Sequence, residues 1–289
     1  MGYGSEIFGL LKQLSIDNEL NDLESVCDFG SQELHFAEKD FYSNSSAEII
    51  RQTIFAMGGP KISDDELSKL AARSSTEKFY KYLGIHYTCL DSDGKYGRPF
   101  DFNFDQPDGS DLLRYSLVVN AGTTEHLLNQ SNSFKIAHDI TQNNGVMIHA
   151  LPFIGFVDHG FLNYHPNLFT ALAHHNNYKL IGLWVSVAGM NSLLPWRPNI
   201  LSYLTSPNGR IPDTSILCAL RKSKSGDFQI PFQGRYESIL DKSIQTNYLD
   251  TGINTETNTA IVSSPIDQYS GRQLLAAIGD RILKRFRSN

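Results

Sequence analysis

Seven short apolar runs punctuate this chain, each closing on a turn or a polar residue, and helical stretches stand between them. They are SVCDFGSQE, HYTCLDSDG, GRPFDFNFDQPDG with Phe100, Phe102 and Phe104 on one side, YSLVVNAG, GVMIHALP, YKLIGLWVSVA and TSILCALRKS. The clearest runs are continuous rather than alternating, as in strands whose two faces are both covered. Runs of this kind interleaved with helices predict an α/β fold with a mostly parallel sheet between two helical layers. The interval before TSILCALRKS holds too many prolines for one long helix, which leaves the last two strands either joined by a crossover or lying as antiparallel neighbours.

Helical spacing marks the intervening stretches. Ile7, Leu10, Leu11 and Leu14 define a first helix within residues 1–24. SAEIIRQTIFAMGG and SDDELSKLAARSSTEKFYKYLG read as two helices of an insertion over residues 42–82, placed to cap a pocket, and Ser63 with Glu66 forms a capping box at the start of the second. TTEHLLNQSNSFKIAHDITQNN and NLFTALAHHNN supply further helices. The α/β domain spans residues 25–223. Residues 224–289 form a polar segment and a C-terminal helix carrying Leu274, Ile278, Ile282 and Phe286 on one face, which offers a contact to its own domain or to a second copy.

Charge narrows the function. A net charge of -6 with no basic block before the last 20 residues argues against a nucleic-acid partner. Cys27, Cys89 and Cys218 lie in apolar runs with no metal-ligand spacing, which suggests buried thiols in a reducing compartment. With no apolar run of 18 residues and no secretory pattern at the N-terminus, a cytoplasmic protein without stable membrane insertion is expected. MG at the start matches a myristoylation signal only in part, because Glu6 stands where Ser or Thr belongs.

The strand exits carry the candidate chemistry. Asp28, Gly30, Ser31, Gln32 and Glu33 leave the first strand, where a glycine permits close approach of a ligand. The GxGxxG phosphate loop is absent, since Gln32 takes the place of its second glycine. Asp91, at the end of the second run, either accepts ribose hydroxyls or caps the SDG turn.

Together CDFGSQE, FYKYLGIHYTCLDSDG, PFDFNFD, YSLVVNAGTTEHLLNQ and HDITQNNGVMIHALP resemble the class I S-adenosylmethionine-dependent methyltransferases, specifically methyltransferase-like proteins with a GTTEH segment after the fourth strand. The resemblance covers about residues 25 to 222 and implies a Rossmann-like seven-stranded sheet, its last strand antiparallel beside the sixth. It also implies S-adenosyl-L-methionine as cofactor: the turn from Asp28 through Gly30, Ser31 and Gln32 near the methionine part, Asp91 on the ribose, Asp101 with Phe102 near adenine, and Asn120 with Ala121 beside the sulfonium. Ser31 and Gln32 depart from the glycine-rich turn. Acids at three strand ends would repel a pyrophosphate yet tolerate a sulfonium and an ammonium, which favours this cofactor over NAD.

Methyl transfer needs an acceptor in line with the methyl group and, for a hydroxyl or protonated amine, a base. His126 is the candidate base, with Glu125 or Asp158 orienting it. His159, Asn163, Tyr164 and His165, flanked by aromatics and glycines, are expected to hold a small polar acceptor such as a sugar or a biosynthetic intermediate. No metal is expected. His35, His86, His138, His174 and His175 read as surface, capping or strand-edge residues. The alternatives are a metal-assisted hydrolase or transferase built on His126, Asp158, His159 and His165, and a non-enzymatic binding or assembly protein.

Overall fold

Continuous apolar runs become strands buried on both faces. The computed structural model describes residues 2–35, 44–71, 74–94, 97–188, 193–198, 200, 212–233 and 240–244. Its strands are β1 (Ser25–Phe29), β2 (His86–Asp91), β3 (Arg98–Pro99), β4 (Tyr115–Ala121), β5 (Thr141–Ile154), β6 (Lys179–Val187), β7 (Leu193–Pro195) and β8 (Thr214–Arg221). They form one eight-stranded sheet in the order β3-β2-β1-β4-β5-β8-β6-β7. β1 to β5 pair in parallel, whereas β8 runs antiparallel to both its neighbours, β5 and β6. The last two long strands are thus antiparallel neighbours, and the three-residue β7, antiparallel on the edge of β6, is the one strand beyond the expected seven.

Successive residues of the central strands feed opposite cores. Leu117 and Val119 of β4 pack on one side and Val118 on the other; Leu217 and Ala219 of β8 oppose Ile216, Cys218 and Leu220. One layer is closed by α1 (Ser5–Ile16), α2 (Asn44–Ala56), α3 (Asp64–Ala71) and α4 (Thr76–Tyr82), the other by α5 (Gln130–Ile140) and α6 (Pro166–His175). Each such side chain taken fully out of water contributes about 1.5–3 kcal/mol before the entropy of ordering is set against it. The segment expected as a cap therefore joins α1 in a helical layer on the sheet, where Ile50, Ile54, Phe79 and Tyr80 pack with Phe8 and Leu11.

Local departures have local causes. SDDELSKLAARSSTEKFYKYLG is broken in two because Ser75 caps a new start, accepting a hydrogen bond from the Glu77 N–H at 3.1 Å. The Ser63 box closes as expected, with Ser63 N donating to Glu66 Oε2 and Glu66 N to Ser63 Oγ. Helix α5 begins only at Gln130, capped by Asn129; a single 3₁₀ turn, Thr124–His126, follows β4. Of the three phenylalanines expected on one side of a strand, Phe100 and Phe102 are buried while Phe104 is 83% exposed, since the strand ends at Pro99. The C-terminal helix expected over Asp267–Asn289 lies outside the described residues, and so does its contact with a second copy. Among the described residues no helix is long and apolar enough to cross a membrane, and Cys27, Cys89 and Cys218 are buried free thiols.

Candidate active site

Parallel pairing brings the ends of β1, β2, β4 and β5 to one edge of the sheet, and antiparallel β8 begins there, with Thr214 opposite Ile154. At the β1 exit Gly30 adopts φ +76°, and a Cβ there would lie 2.7 Å from Thr123 Oγ1. That hydroxyl donates to the Phe29 carbonyl at 2.6 Å, and Gln32 Nε2 donates to the same carbonyl at 2.8 Å, so the β1 and β4 exits are knit together. Among the described residues, Gln32 Oε1 is buried with no partner.

The Ser31 N–H donates to Asp91 Oδ2 at 2.6 Å. Partial burial works against the Asp91 charge, but hydrogen bonds from Ser31 and from the backbone of Asp93 and Ser92 hold its carboxyl below the usual carboxylate range. Asp91 is therefore an ionised, partly exposed acceptor beside the turn.

Asp28 is placed differently. Its side chain is fully buried beneath the turn and accepts from the hydroxyls of Tyr3 (2.6 Å), Thr76 (2.7 Å) and Tyr87 (2.9 Å). Burial raises its pKa from an ordinary 3.8 to about 6, with the three hydroxyls opposing the rise. The folded state thus binds the proton more tightly than the unfolded chain. This group's contribution to stability is largest below about pH 4 and is lost as pH climbs toward 6, by about 3 kcal/mol in all. Asp28→Asn should therefore gain up to that amount relative to wild type between pH 4 and pH 7 in paired denaturant titrations; a difference independent of pH would refute the burial argument.

Asp101 is exposed and accepts from the Asn103 N–H at 2.9 Å, while Phe102 is buried against Phe29 with ring centroids 4.3 Å apart. Phe102 therefore supports the β1 exit from within the core.

The β4 exit is polar and buried. Asn120 and Ala121 are both buried; Asn120 Nδ2 lies 2.9 Å from Thr124 Oγ1 and 3.3 Å from His149 Nδ1. Burial between Phe134 and Phe169 drives His149 down to about 3, so its imidazole is neutral. Tyr164 is buried too, donating to Gln130 Oε1 at 2.7 Å with its hydroxyl 3.0 Å from Thr124 Oγ1; burial pushes its pKa up.

One step further out, Glu125 is fully buried. His159 Nε2 lies 3.3 Å and His126 Nε2 3.7 Å from its Oε1, and among the described residues Oε2 is buried without a partner. Burial raises the carboxyl above its usual range, and its own backbone N–H and the two imidazoles pull against that rise. The imidazoles meet edge to face at 5.0 Å. The backbone clamps this arrangement: Phe161 N and Leu162 N both donate to the Glu125 carbonyl, and Gly160 sits so close that a Cβ would meet Glu125 Cγ at 2.9 Å. Asp213 props the same loop from the start of β8 by accepting from Phe156 N at 2.9 Å.

The structure thus brings Glu125, His126 and His159 together. Asp158 is exposed, Asn163 donates to the Gly155 carbonyl at 3.2 Å, and His165 caps α6 by accepting from Asn167 N at 3.2 Å. Sequence reasoning missed His149, Thr123, Thr124 and Asp213. A histidine inside GVMIHALP gives a signal, because a polar residue in a run buried on both faces requires a buried partner.

No protein-family model and no curated protein matches the sequence. Among solved structures the chain is similar to a SAM-dependent methyltransferase from Archaeoglobus fulgidus, with 12% identity, 74% of this chain and 94% of that chain covered, and a TM-score of 0.36. It is also similar to a Burkholderia thailandensis 1,6-didemethyltoxoflavin-N1-methyltransferase, with 9% identity, 75% and 78% covered, and a TM-score of 0.38.

Proposed function

We propose that this chain transfers the methyl group of S-adenosylmethionine to a hydroxyl or amine of a small polar molecule, in the cytoplasm. The observation that carries the reading is the sheet itself. A last strand, β8, running antiparallel beside β6 is what the methyltransferase resemblance implies, and the parallel pairing of β1, β2 and β4 sets Gly30, Asp91 and Asn120 at one edge.

The residues present suit the cofactor. Gln32 Oε1 is a buried acceptor lacking a donor, and Asp91 is an ionised acceptor at the β2 exit. Both match a molecule that brings hydroxyls and an ammonium. Asp91 would hold the ribose, Gly30, Ser31 and Gln32 the methionine part, Asp101 the adenine edge, and Asn120 with Ala121 the region of the sulfonium. Asp28 and Phe102 would act from below by fixing the turn. When bound, the cofactor supplies an electrophilic methyl group.

The chain's own residues then orient the acceptor and draw off its proton. Glu125, His126 and His159 converge at the mouth of the β4 and β5 exits, and His126, 45% exposed at its side chain, is the member placed to meet an acceptor. Tyr164, with Thr124 and Gln130, fixes the wall behind them. Asp158, Asn163 and His165 line the outer loop, where an acceptor would pass. Of the four residues expected for a metal-assisted hydrolase or transferase, His126 and His159 come together, while Asp158 is exposed and His165 caps α6, so the cluster as first expected does not assemble.

Calorimetry tests the cofactor directly. Asp91→Ala should weaken S-adenosylmethionine binding by about 1–3 kcal/mol, the cost of leaving buried donors unpaired. Tight NAD binding with no detectable S-adenosylmethionine or S-adenosylhomocysteine binding would reject the assignment.

A further inference from the structure

Glu125 poses a problem that its hydrogen bonds leave unsolved. A fully buried carboxylate needs compensating charge or donors, yet among the described residues Oε2 has no hydrogen-bond partner, and the carboxylate is met by its own backbone N–H and, at Oε1, by two imidazole nitrogens at 3.3 and 3.7 Å. Both spacings are long for a charge-assisted hydrogen bond, which closes to about 2.7–2.9 Å. They suit a shared cation better. Nitrogen and oxygen ligands sit about 2.0–2.2 Å from a tetrahedral zinc ion, which puts neighbouring donor atoms about 3.3–3.6 Å apart; the His159 spacing of 3.3 Å falls in that range and the His126 spacing of 3.7 Å lies just beyond it.

We propose that Glu125, His126 and His159 hold one divalent transition cation, best suited to Zn²⁺, with a fourth coordination position open at the mouth of the site. The donor atoms of the three residues lie within 4.8 Å of one another. Two imidazoles and one carboxylate are a ligand set that such ions favour over Mg²⁺ or Ca²⁺, which prefer oxygen. The donors come from two loops already clamped by Phe161 N and Leu162 N on the Glu125 carbonyl and by the close seat of Gly160, so little reorganisation is needed to bring them to one point. Three protein ligands and an open position are the pattern of a reactive centre rather than of a structural one.

Binding of the cation stands apart from the transferase reading; only the use of the open position rests on it. There an acceptor hydroxyl would coordinate and become more acidic; with His126 held as a ligand and no longer free to act as a base, the proton would pass to solvent. The oxygen lone pair would form the bond to the methyl carbon as the carbon–sulfur bond breaks, with that bond's electrons staying on sulfur.

The test uses the full chain stripped with EDTA and dialysed. Titration with ZnCl₂ in the calorimeter should give one cation per chain, and Co²⁺ in its place should give the intense visible bands of a low-coordinate nitrogen and oxygen site. His159→Asn and His126→Asn, both at partly exposed side chains and so compatible with folding, should each weaken binding about 100-fold or more, at or beyond the loss seen when a mere supporting residue is removed. Equal uptake by wild type and by the double variant His126→Asn, His159→Asn would overturn the proposal. Titrating S-adenosylmethionine in parallel separates the two readings: cation uptake without cofactor binding leaves the site and removes the transferase, and cofactor binding without cation uptake does the reverse.

Discussion

Replacing His126 with asparagine should slow single-turnover methyl transfer about 10²- to 10⁴-fold, the range expected when a positioned proton-accepting group is lost. Cofactor affinity should stay nearly unchanged. Asparagine keeps a polar side chain of similar reach but has no basic nitrogen, so the substitution separates chemistry from binding. His126 sits on the 3₁₀ turn just beyond Asn120 and Ala121, and its ring packs on His159 over the buried Glu125. The same loss follows if the imidazole serves as a cation ligand, because the acceptor then loses the charge that acidifies it. Rapid-quench assays at saturating cofactor, with folding checked by circular dichroism, decide the matter; equal rates in wild type and variant would remove His126 from the chemistry.

Gly30→Ala should damage both stability and cofactor binding. At φ +76° a side chain costs about 1–2 kcal/mol in backbone energy alone. The new Cβ would also stand 2.7 Å from Thr123 Oγ1, forcing that hydroxyl away from the Phe29 carbonyl it binds at 2.6 Å. Losing that hydrogen bond adds about 1 kcal/mol, for a total of about 2–3 kcal/mol in urea titrations. Because Thr123 ties the β1 exit to the β4 exit, S-adenosylmethionine affinity should fall in parallel. Thr123→Val is the companion variant: it keeps Gly30 intact and should show the hydrogen-bond part of the loss alone. An alanine variant with wild-type stability would show that the turn relaxes freely.

The strands were legible because burial on both faces writes itself as continuous apolar text, as in Leu117, Val118 and Val119. Their ends were legible too, since Gly30, Asp91 and Gly122 interrupt that text. Side-chain destinations were harder to read. Asp28 and Asp91 look alike in sequence, yet one is sealed by three hydroxyls from Tyr3, Thr76 and Tyr87 while the other meets solvent; those partners lie 25, 48 and 59 residues away. The same holds for histidines. His159 reaches Glu125 only because the β5 exit folds back over the β4 exit, whereas His165, six residues on, is spent on capping a helix. Helix breaks at Ser75 and Asn129 depend on single capping hydrogen bonds, which periodicity does not register.

The antiparallel insertion of β8 also fixes when the molecule can be finished. β5 and β6 leave the ribosome well before the strand that must lie between them, so each presents a long unpaired edge until Thr214–Arg221 arrives. Asp213, the prop under the acceptor loop, arrives in the same moment. A chain truncated near residue 200 would carry two exposed apolar strand edges with a gap one strand wide between them, the kind of surface that recruits chaperones or other chains. Closure of the sheet and support of the loop that carries His159 therefore wait on the same segment, residues 213–221.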